Sequence, residues 1–461
     1  MALRVYNTLT RQKEDFVPLG ETVKMYVCGP NLYGPCHVGH ALSYIVFDAI
    51  RRYLEHSGYA VRHVQNFTDI EDRIIVAAQT QNTTVTELAE LHIARFLQEM
   101  DALNILRAHV YPRATRVIPK MQEVIQGLIA KGHAYVLENG DIYFRVTSHP
   151  SYGALSSRSL DEMQAGARIE PDPRKEHPMD FALWKAAKPG EPNWPSPWGP
   201  GRPGWHIECS AMSMQYLGEQ LDIHGGGHDV IFPHHENEIA QSESFTGKVP
   251  FVKYWLHNAL LRLSGDEEKM TRHLGNIVSV REALERYNPD AIRLFVLSSH
   301  YRSPVAWSDE GVQAADKGVE RLRAAVRESE VAGKSASPVL QQAVEEARHA
   351  FAEAMDDDFN TPQAIAVLFD LARETNRARD EGFAVSEGLA ALRELAGVLG
   401  LTLQERPAQL EAKPFVDLLV AVRGDLRAAK QWALTDRIRS GLKELGVTLE
   451  DSAQGTTWKA K

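Results

Sequence analysis

The chain has 461 residues, 44% of them hydrophobic and 24% charged, the balance of an ordinary globular protein long enough for two or three domains. Its 61 acidic against 51 basic side chains leave a formal charge of −10. That excludes a globally basic nucleic-acid binder, so any RNA contact has to rest on local patches. Three widely spaced cysteines exclude a disulfide framework and leave thiols for metal in a reducing compartment. The first residues lack the apolar segment of a signal peptide, and no apolar run is long enough to span a bilayer. The expectation is a cytoplasmic protein without membrane contact.

Residues 1–20 read as a short strand pair or arm. Thr22 to Val27, rich in β-branched and aromatic side chains, reads as a buried strand. A turn follows, running from Cys28 to His40 as Cys-Gly-Pro-Asn-Leu-Tyr-Gly-Pro-Cys-His-Val-Gly-His. Val38 to His56 is a helix by the three- and four-residue spacing of Leu42, Ile45, Val46, Ala49, Ile50 and Leu54. A second strand covers Ala60 to Phe67. Strand, glycine-rich turn, helix, strand is the first unit of a parallel α/β sheet, whose ligands collect at the carboxyl ends of the strands. Cys28, His37, Gly39 and His40 fall there. A helix start offers N–H groups and partial positive charge, Gly39 admits close approach to the backbone, and two imidazoles can donate to phosphate oxygens. A plain helix-start loop with two surface histidines would show the same tetrapeptide.

Helices are expected over about Asp72–Gln79, Val85–Leu103 and Ala114–Lys131, then a hairpin over 133–146 turning at Asn139-Gly140. The pattern degrades from Ser148, and Pro189 to Gly204 reads as a long irregular loop of the kind that carries function. A helix runs from Gly204 to about Leu217. Leu221 to Asp229 is a strand ending in a glycine-rich turn. Another helix starts near Phe232 with Pro233 in its first turn. Tyr254 to Leu263 reads as one strand and Ser264 to Asn276 as a polar loop. From Val280 the chain is expected to be helical nearly to its end, with amphipathic stretches at 310–331, 338–356, 361–380 and 386–399 forming a bundle. A proline-containing linker near 403–414 precedes a small terminal module with more Lys and Arg than Asp and Glu. In it Trp432 reads as core. Trp458 reads as an exposed stacking platform for unpaired bases, or else as a ring tucked against the module's own helices.

Cys28, Cys209, His234 and Glu238 are the residue types of a tetrahedral zinc site, and the last two stand i, i+4 on one expected helix face. His206, His224, His228, His235 and Glu236 compete as ligands, and a buried cysteine pair beside a surface His-His-Glu helix start would look the same.

The chain resembles the class I aminoacyl-tRNA synthetases, and among them the cysteine-specific family, essentially end to end. The resemblance rests on His37-Val-Gly-His40 and Cys28-Gly-Pro30, on Gly204-Trp-His-Ile-Glu-Cys-Ser210 and His224-Gly-Gly-Gly-His-Asp229, and on Phe232-Pro-His-His-Glu-Asn-Glu238. Asp358-Phe-Asn-Thr-Pro362 and Gly455-Thr-Thr-Trp458 complete it. It implies a Rossmann-type catalytic domain (1–112 and 204–309) interrupted by an insertion (113–203). A helical tRNA-binding bundle (310–402) and a C-terminal anticodon-binding module (415–461) follow. It implies Cys28, Cys209, His234 and Glu238 as ligands of one Zn2+ per subunit. ATP enters as a substrate with Mg2+, alongside L-cysteine and tRNA(Cys), and the protein is a monomer.

The implied activity is adenylation of cysteine and its transfer to the 3'-terminal ribose. His37 and His40 would hold the triphosphate, Trp205 and Asp229 the amino acid or adenosine, with Thr68 in the same pocket. Thr456, Thr457 and Trp458 would meet the tRNA. A soft metal explains how –SH is told from –OH, since size and hydrogen bonding alone separate such close analogues by only about 1–3 kcal/mol. The family's mobile Lys-Met-Ser-Lys-Ser loop corresponds here to Lys269-Met-Thr-Arg-His273, so Lys269 is kept and Arg272 replaces the second lysine. Asn31 replaces a threonine and Leu42 an arginine of the family pattern. The competing functions are a zinc-dependent ligase joining cysteine to a small amine, as in mycothiol ligases, and a non-catalytic paralogue that binds tRNA or zinc.

Overall fold

The N-terminal arm is a hairpin of β1 (Arg4–Asn7) and β2 (Gln12–Asp15). It leads to β3 (Thr22–Val27), α1 (Val38–His56) and β4 (Ala60–Gln65), then to α2 (Asp72–Thr80), α3 (Val85–Ala102) and α4 (Ile118–Ala130). An inserted sheet begins with β5 (Ala134–Val136) and β6 (Ile142–Phe144). After the short α5 (Leu160–Ala165) it is completed by β7 (Phe181–Ala186) and β8 (Gly201–Pro203). The chain returns through α6 (Trp205–Leu217), β9 (Leu221–Gly227), α7 (Glu236–Thr246), β10 (Val252–Asn258) and β11 (Leu261–Leu263). The computed structural model describes residues 2–165, 172–263, 278–327, 335–404, 412–452 and 455–460.

β10, β9, β3 and β4 lie side by side in that order, all parallel. The order reverses between β3 and β9, so the carboxyl ends of these two strands open a crevice at the switch point of the sheet. Strand alternation sends Val23, Met25 and Val27 into the core under α1, and Tyr26 into the core under α6. Both faces are thus covered, which is why these strands read as apolar runs. α8 (Val280–Arg286), α9 (Pro289–Leu297) and β12 (Val305–Trp307) lead into a bundle of α10 (Asp309–Val326), α11 (Pro338–Asp356), α12 (Thr361–Asp380) and α13 (Ser386–Val398). Arg293 of α9 is fully buried. It donates to Asp48 of α1 at 2.6 Å and to the carbonyls of Leu103 and Leu399, tying the bundle to the α/β part.

The chain divides into two compact units, Met1–Gln404 and Glu405–Lys461. The second unit contains α14 (Ala412–Ala428), α15 (Trp432–Glu444) and a hairpin of β13 (Val447–Ser452) and β14 (Gly455–Ala460). Its small core is Val416, Leu442, Val447 and Leu449. The Arg423 guanidinium grips both oxygens of Asp451 at 2.8 and 2.9 Å.

Several expectations need correction. The region expected to be irregular up to Gly204 contributes β7 and β8, which turn the 133–146 hairpin into a four-stranded antiparallel sheet. β8 carries Gly and Pro, and residues of low strand propensity are held here by pairing to β7 rather than by their own preference. The strand expected over Tyr254–Leu263 is broken at Ala259-Leu260, because β11 leaves the main sheet to pair with β12. The chain after Val280 is not helical throughout, since β12 and the terminal hairpin interrupt it. Trp432 is not core. It opens α15 with 56% of its surface exposed.

Candidate active site and metal centre

β3 ends at Val27, and Cys28 follows it at the switch point, its N–H held by the carbonyl of Gly225 on β9 at 3.0 Å. Cys209 lies in the first turns of α6. His234 sits in a wide turn, Ile231–His235, ahead of α7, and Glu238 is in the first turn of α7. The expected single helix carrying His234 and Glu238 is therefore two segments. Phe232 is extended (φ −131°, ψ 131°) and Pro233 has no N–H to give, so the regular helix begins only at Glu236. The two side chains still meet, His234 Nε2 lying 3.1 Å from Glu238 Oε1.

The four donors converge. Their ligand atoms all lie within 4.8 Å of one another, three of the four residues are buried, and the two sulfurs are 3.9 Å apart. Metal–sulfur bonds of about 2.3 Å place the sulfurs of a tetrahedral site roughly 3.8 Å apart, so the spacing fits zinc. A second set, Cys28, His224, His235 and Glu238, is equally compact. In it His224 Nε2 lies 3.0 Å from Glu238 Oε2, and His235 Nε2 lies 3.2 Å from Cys28 Sγ, both hydrogen-bond distances. His234 Nε2 lies at a similar distance, 3.1 Å, from Glu238 Oε1, so what distinguishes the predicted quartet is that it alone of the two sets holds both sulfurs.

Burial sets the charge of this floor. It drives Glu238 and the Cys28 thiol well above their usual ranges, Cys28 further through the neighbouring Cys209. It holds His234, His235 and His257 well below theirs, and His206 and His224 at about 3. These imidazoles are neutral at physiological pH, with a lone pair to offer a metal or a hydrogen-bond donor.

Above the floor opens a cleft of about 1280 Å³. Cys28, Cys209 and His234 line its base, Thr68, Trp205 and Asp229 its walls, and His37, Gly39 and His40 its rim. The indole of Trp205 stacks on the His234 ring, with centroids 4.2 Å apart and planes 24° from parallel. Thr68 is buried beside Asn66, whose amide donates to its hydroxyl at 3.3 Å. Asp229 is exposed at the end of the Gly-Gly-Gly turn. Asn31 bridges to Thr68 across the cleft wall, whereas Leu42 is buried in the core of α1.

The two rim histidines cap α1 reciprocally. The His40 N–H donates to His37 Nδ1 and the His37 N–H to His40 Nδ1, both at 3.3 Å, and the rings stack 3.8 Å apart. Each Nδ1 is thereby an acceptor, so each neutral ring carries its proton on Nε2 as a donor. Gly39 makes this possible, because a Cβ there would lie 3.0 Å from the His37 ring.

Lys269 and Arg272 lie outside the described residues. In the second unit, Thr456 Oγ1 donates to Asp451 Oδ1 at 2.6 Å, and the half-buried Trp458 donates its indole N–H to Asp417 at 2.8 Å. The ring packs on the module's core. Trp458 thus follows the tucked alternative, and Thr457 is the exposed member of the trio. His235, weighed as a competing ligand, lies with its Nδ1 2.8 Å from His257 Nε2, and His257 Nδ1 lies 2.8 Å from Thr8 Oγ1; neither His257 nor Thr8 stands in a motif that singled it out.

Residues 15–317 match the family model of tRNA synthetases class I (C) catalytic domain, and residues 350–404 the DALR domain. A cysteine–tRNA ligase of Dehalococcoides mccartyi is 56% identical over 465 residues, covering 100% of each chain. One from Symbiobacterium thermophilum is 51% identical over 474 residues with the same coverage. The methionyl-tRNA synthetase of Mycobacterium tuberculosis, solved with methionyl-adenylate, shares the fold at a TM-score of 0.62 and 16% identity, covering 87% of this chain and 94% of its own.

Proposed function

The chain belongs to the cysteine–tRNA ligase family of class I aminoacyl-tRNA synthetases, and from that premise we propose how its cleft works. The enzyme activates cysteine with ATP and transfers it to tRNA. In the first step the cysteine carboxylate attacks the α-phosphorus and pyrophosphate leaves. In the second a hydroxyl of the terminal ribose attacks the acyl carbon and AMP leaves.

The reading is carried by one observation, the convergence of two thiols, an imidazole and a carboxylate at the floor of the cleft. Cys28, Cys209, His234 and Glu238 would hold one Zn2+ per chain. Zinc bound there supplies a soft Lewis acid that prefers a substrate sulfur to an oxygen. Trp205, stacked on His234, keeps that ligand's ring fixed and walls the amino-acid end of the cleft. Asp229 and Thr68 hold the amino acid or the adenosine. His37 and His40 turn Nε2–H donors toward the phosphates at the positive end of α1 and stabilise charge that builds on them. Lys269 and Arg272 complete the phosphate site, with Mg2+ accompanying the nucleotide.

Residues 113–203 form the insertion into the catalytic domain, and 310–402 the bundle that meets the tRNA. The terminal module reads the anticodon, Thr457 making contact while Thr456 and Trp458 hold the hairpin that presents it. The protein works as a monomer in the cytoplasm. No helix among the described residues is long and apolar enough to cross a membrane. A ligase for a small amine would need neither the DALR segment nor the terminal module.

The test is charging of a cysteine-specific tRNA transcript with cysteine and ATP by purified protein, together with metal analysis. Cysteinyl-tRNA should accumulate, serine should be rejected, and zinc should be stoichiometric. Charging by metal-free protein would overturn the zinc assignment. Absence of charging by folded, zinc-loaded protein would overturn the activity.

A further inference from the structure

Thr8 follows β1 in the N-terminal arm, far in sequence from the metal floor. The arm is stitched to β10. The Thr8 N–H donates to the carbonyl of Trp255 at 2.9 Å, and the buried Asn7 accepts from the Trp255 N–H at 3.1 Å and donates to the carbonyl of Lys253 at 2.9 Å. This places Thr8 Oγ1 2.8 Å from Nδ1 of His257. His257 Nε2 lies 2.8 Å from His235 Nδ1, and His235 Nε2 lies 3.2 Å from Cys28 Sγ. His257 is 5% exposed and His235 is fully buried, so an unbroken file of hydrogen bonds runs from the arm to the sulfur.

We propose that Thr8 and His257 are positioning residues for the Cys28 ligand, fixing the tautomer and tilt of His235 so that its Nε2–H is donated to the sulfur. The inference rests on the reading of Cys28 as a metal ligand. A neutral imidazole has one donor and one acceptor, so two of them in series between a sulfur and a hydroxyl must all point one way. A metal-held cysteine sulfur is a thiolate and only accepts. His235 Nε2 must then donate to it, His235 Nδ1 must accept from His257 Nε2–H, and His257 Nδ1 must accept from the Thr8 hydroxyl. Thr8 is the end of the file that satisfies this direction. Without its hydroxyl, His257 Nδ1 faces a methyl group. The alternative tautomers would then turn a lone pair of His235 onto the negative sulfur. An N–H donated to a ligating sulfur draws charge from it and leaves the metal a stronger acid toward an incoming substrate thiolate.

Thr8→Val keeps the shape and the backbone bond to Trp255 and deletes only the hydroxyl. The probe is Co2+ bound to the full-length protein after removal of native metal, read by its sulfur-to-cobalt charge-transfer band and by competition with a chromophoric chelator. In Thr8→Val the band should move to lower energy and cobalt should be held about tenfold more weakly. Thr8→Ser should restore both, and KM for cysteine should rise in Thr8→Val more than kcat falls. Thr8→Ala serves the same comparison if Thr8→Val does not fold. A role confined to holding the arm would lower the melting temperature without moving the band. An unmoved band, or a Thr8→Ser protein that behaves like Thr8→Val, overturns the inference alone. A native protein with no sulfur-to-cobalt band overturns it together with the assignment of Cys28 as a ligand.

Discussion

Gly29 stands between Cys28, a proposed metal ligand, and the rest of the Cys28–His40 turn, and Gly29→Ala tests whether the spacing of the β3 and β4 ends sets the proposed metal site. Its N–H donates to Asn66 Oδ1 at 2.8 Å. A Cβ on Gly29 would lie 1.6 Å from the Asn66 carbonyl oxygen and 2.7 Å from its carbon, both backbone atoms that cannot rotate away. To bring that contact out to 3.0 Å the two strand ends must part by roughly 1.4 Å. Cys28 moves with Gly29, and Thr68 moves with Asn66. Zinc–ligand distances tolerate only about 0.2 Å, and a misplacement of about 1 Å near reacting groups costs on the order of 100-fold in rate. Cysteine-dependent ATP–pyrophosphate exchange should fall at least about 100-fold with zinc below stoichiometry. Gly397→Ala, in α13 with nothing beyond its own helix backbone and chain neighbours within 4 Å of the added methyl, should leave exchange unchanged. Exchange by Gly29→Ala within about threefold of the native rate, with full zinc, would refute the reasoning.

Cys209→Ser should lose stoichiometric zinc and cysteine activation while the chain keeps its far-ultraviolet spectrum; activation surviving in a metal-free variant would refute zinc selection. His63 of β4 is buried, with neither ring nitrogen bonded among the described residues, and burial and Arg51 hold it at about 3. From pH 6.5 down to about 3 the unfolded chain takes a proton that the folded chain refuses, so stability is full above pH 6.5 and falls as pH drops. The loss is about 2 kcal/mol at pH 5. His63→Leu should remove that much of the difference in unfolding free energy between pH 7 and pH 5, and an unchanged difference would show that His63 charges freely in the fold. Arg272→Lys should give pyrophosphate exchange equal to or above native, whereas a drop beyond about tenfold would mean that the loop has adapted to a guanidinium fork.

The sheet strand, the first helix and the metal quartet were legible because each leaves a local trace. Thr22–Val27 and Val38–His56 carry strand composition and helical spacing in their own residues, and both bounds match the structure. Cys28, Cys209, His234 and Glu238 stand in the motifs that carry the family resemblance, which singled out these four among the competing donors, and the structure brings the four together. β8 was missed because it is a strand only by partnership, β7 because its short apolar run lies between proline-rich stretches, and Trp432 because ring size argues for burial whereas the ring at the start of α15 is more than half exposed.

The file Thr8–His257–His235 was illegible for a different reason. It depends on register between strands distant in sequence. His257 pairs with Gly226 on β9, His224 with Tyr26 on β3, and Cys28 continues β3 beyond Val27, which pairs with Gly225. Parallel pairing therefore brings the ends of three strands abreast, and with them a thiol and two of the imidazoles. Alternation along any one strand says which residues share a face, but not which strand lies beside it or how far it is shifted. The arm adds a further unknown, because Thr8 reaches His257 only through the Asn7 side chain and the Trp255 and Lys253 backbone. Candidate ligands of a metal announce themselves by residue type and motif. The groups that orient those ligands are ordinary threonines and histidines, and only the paired strands distinguish them from the rest.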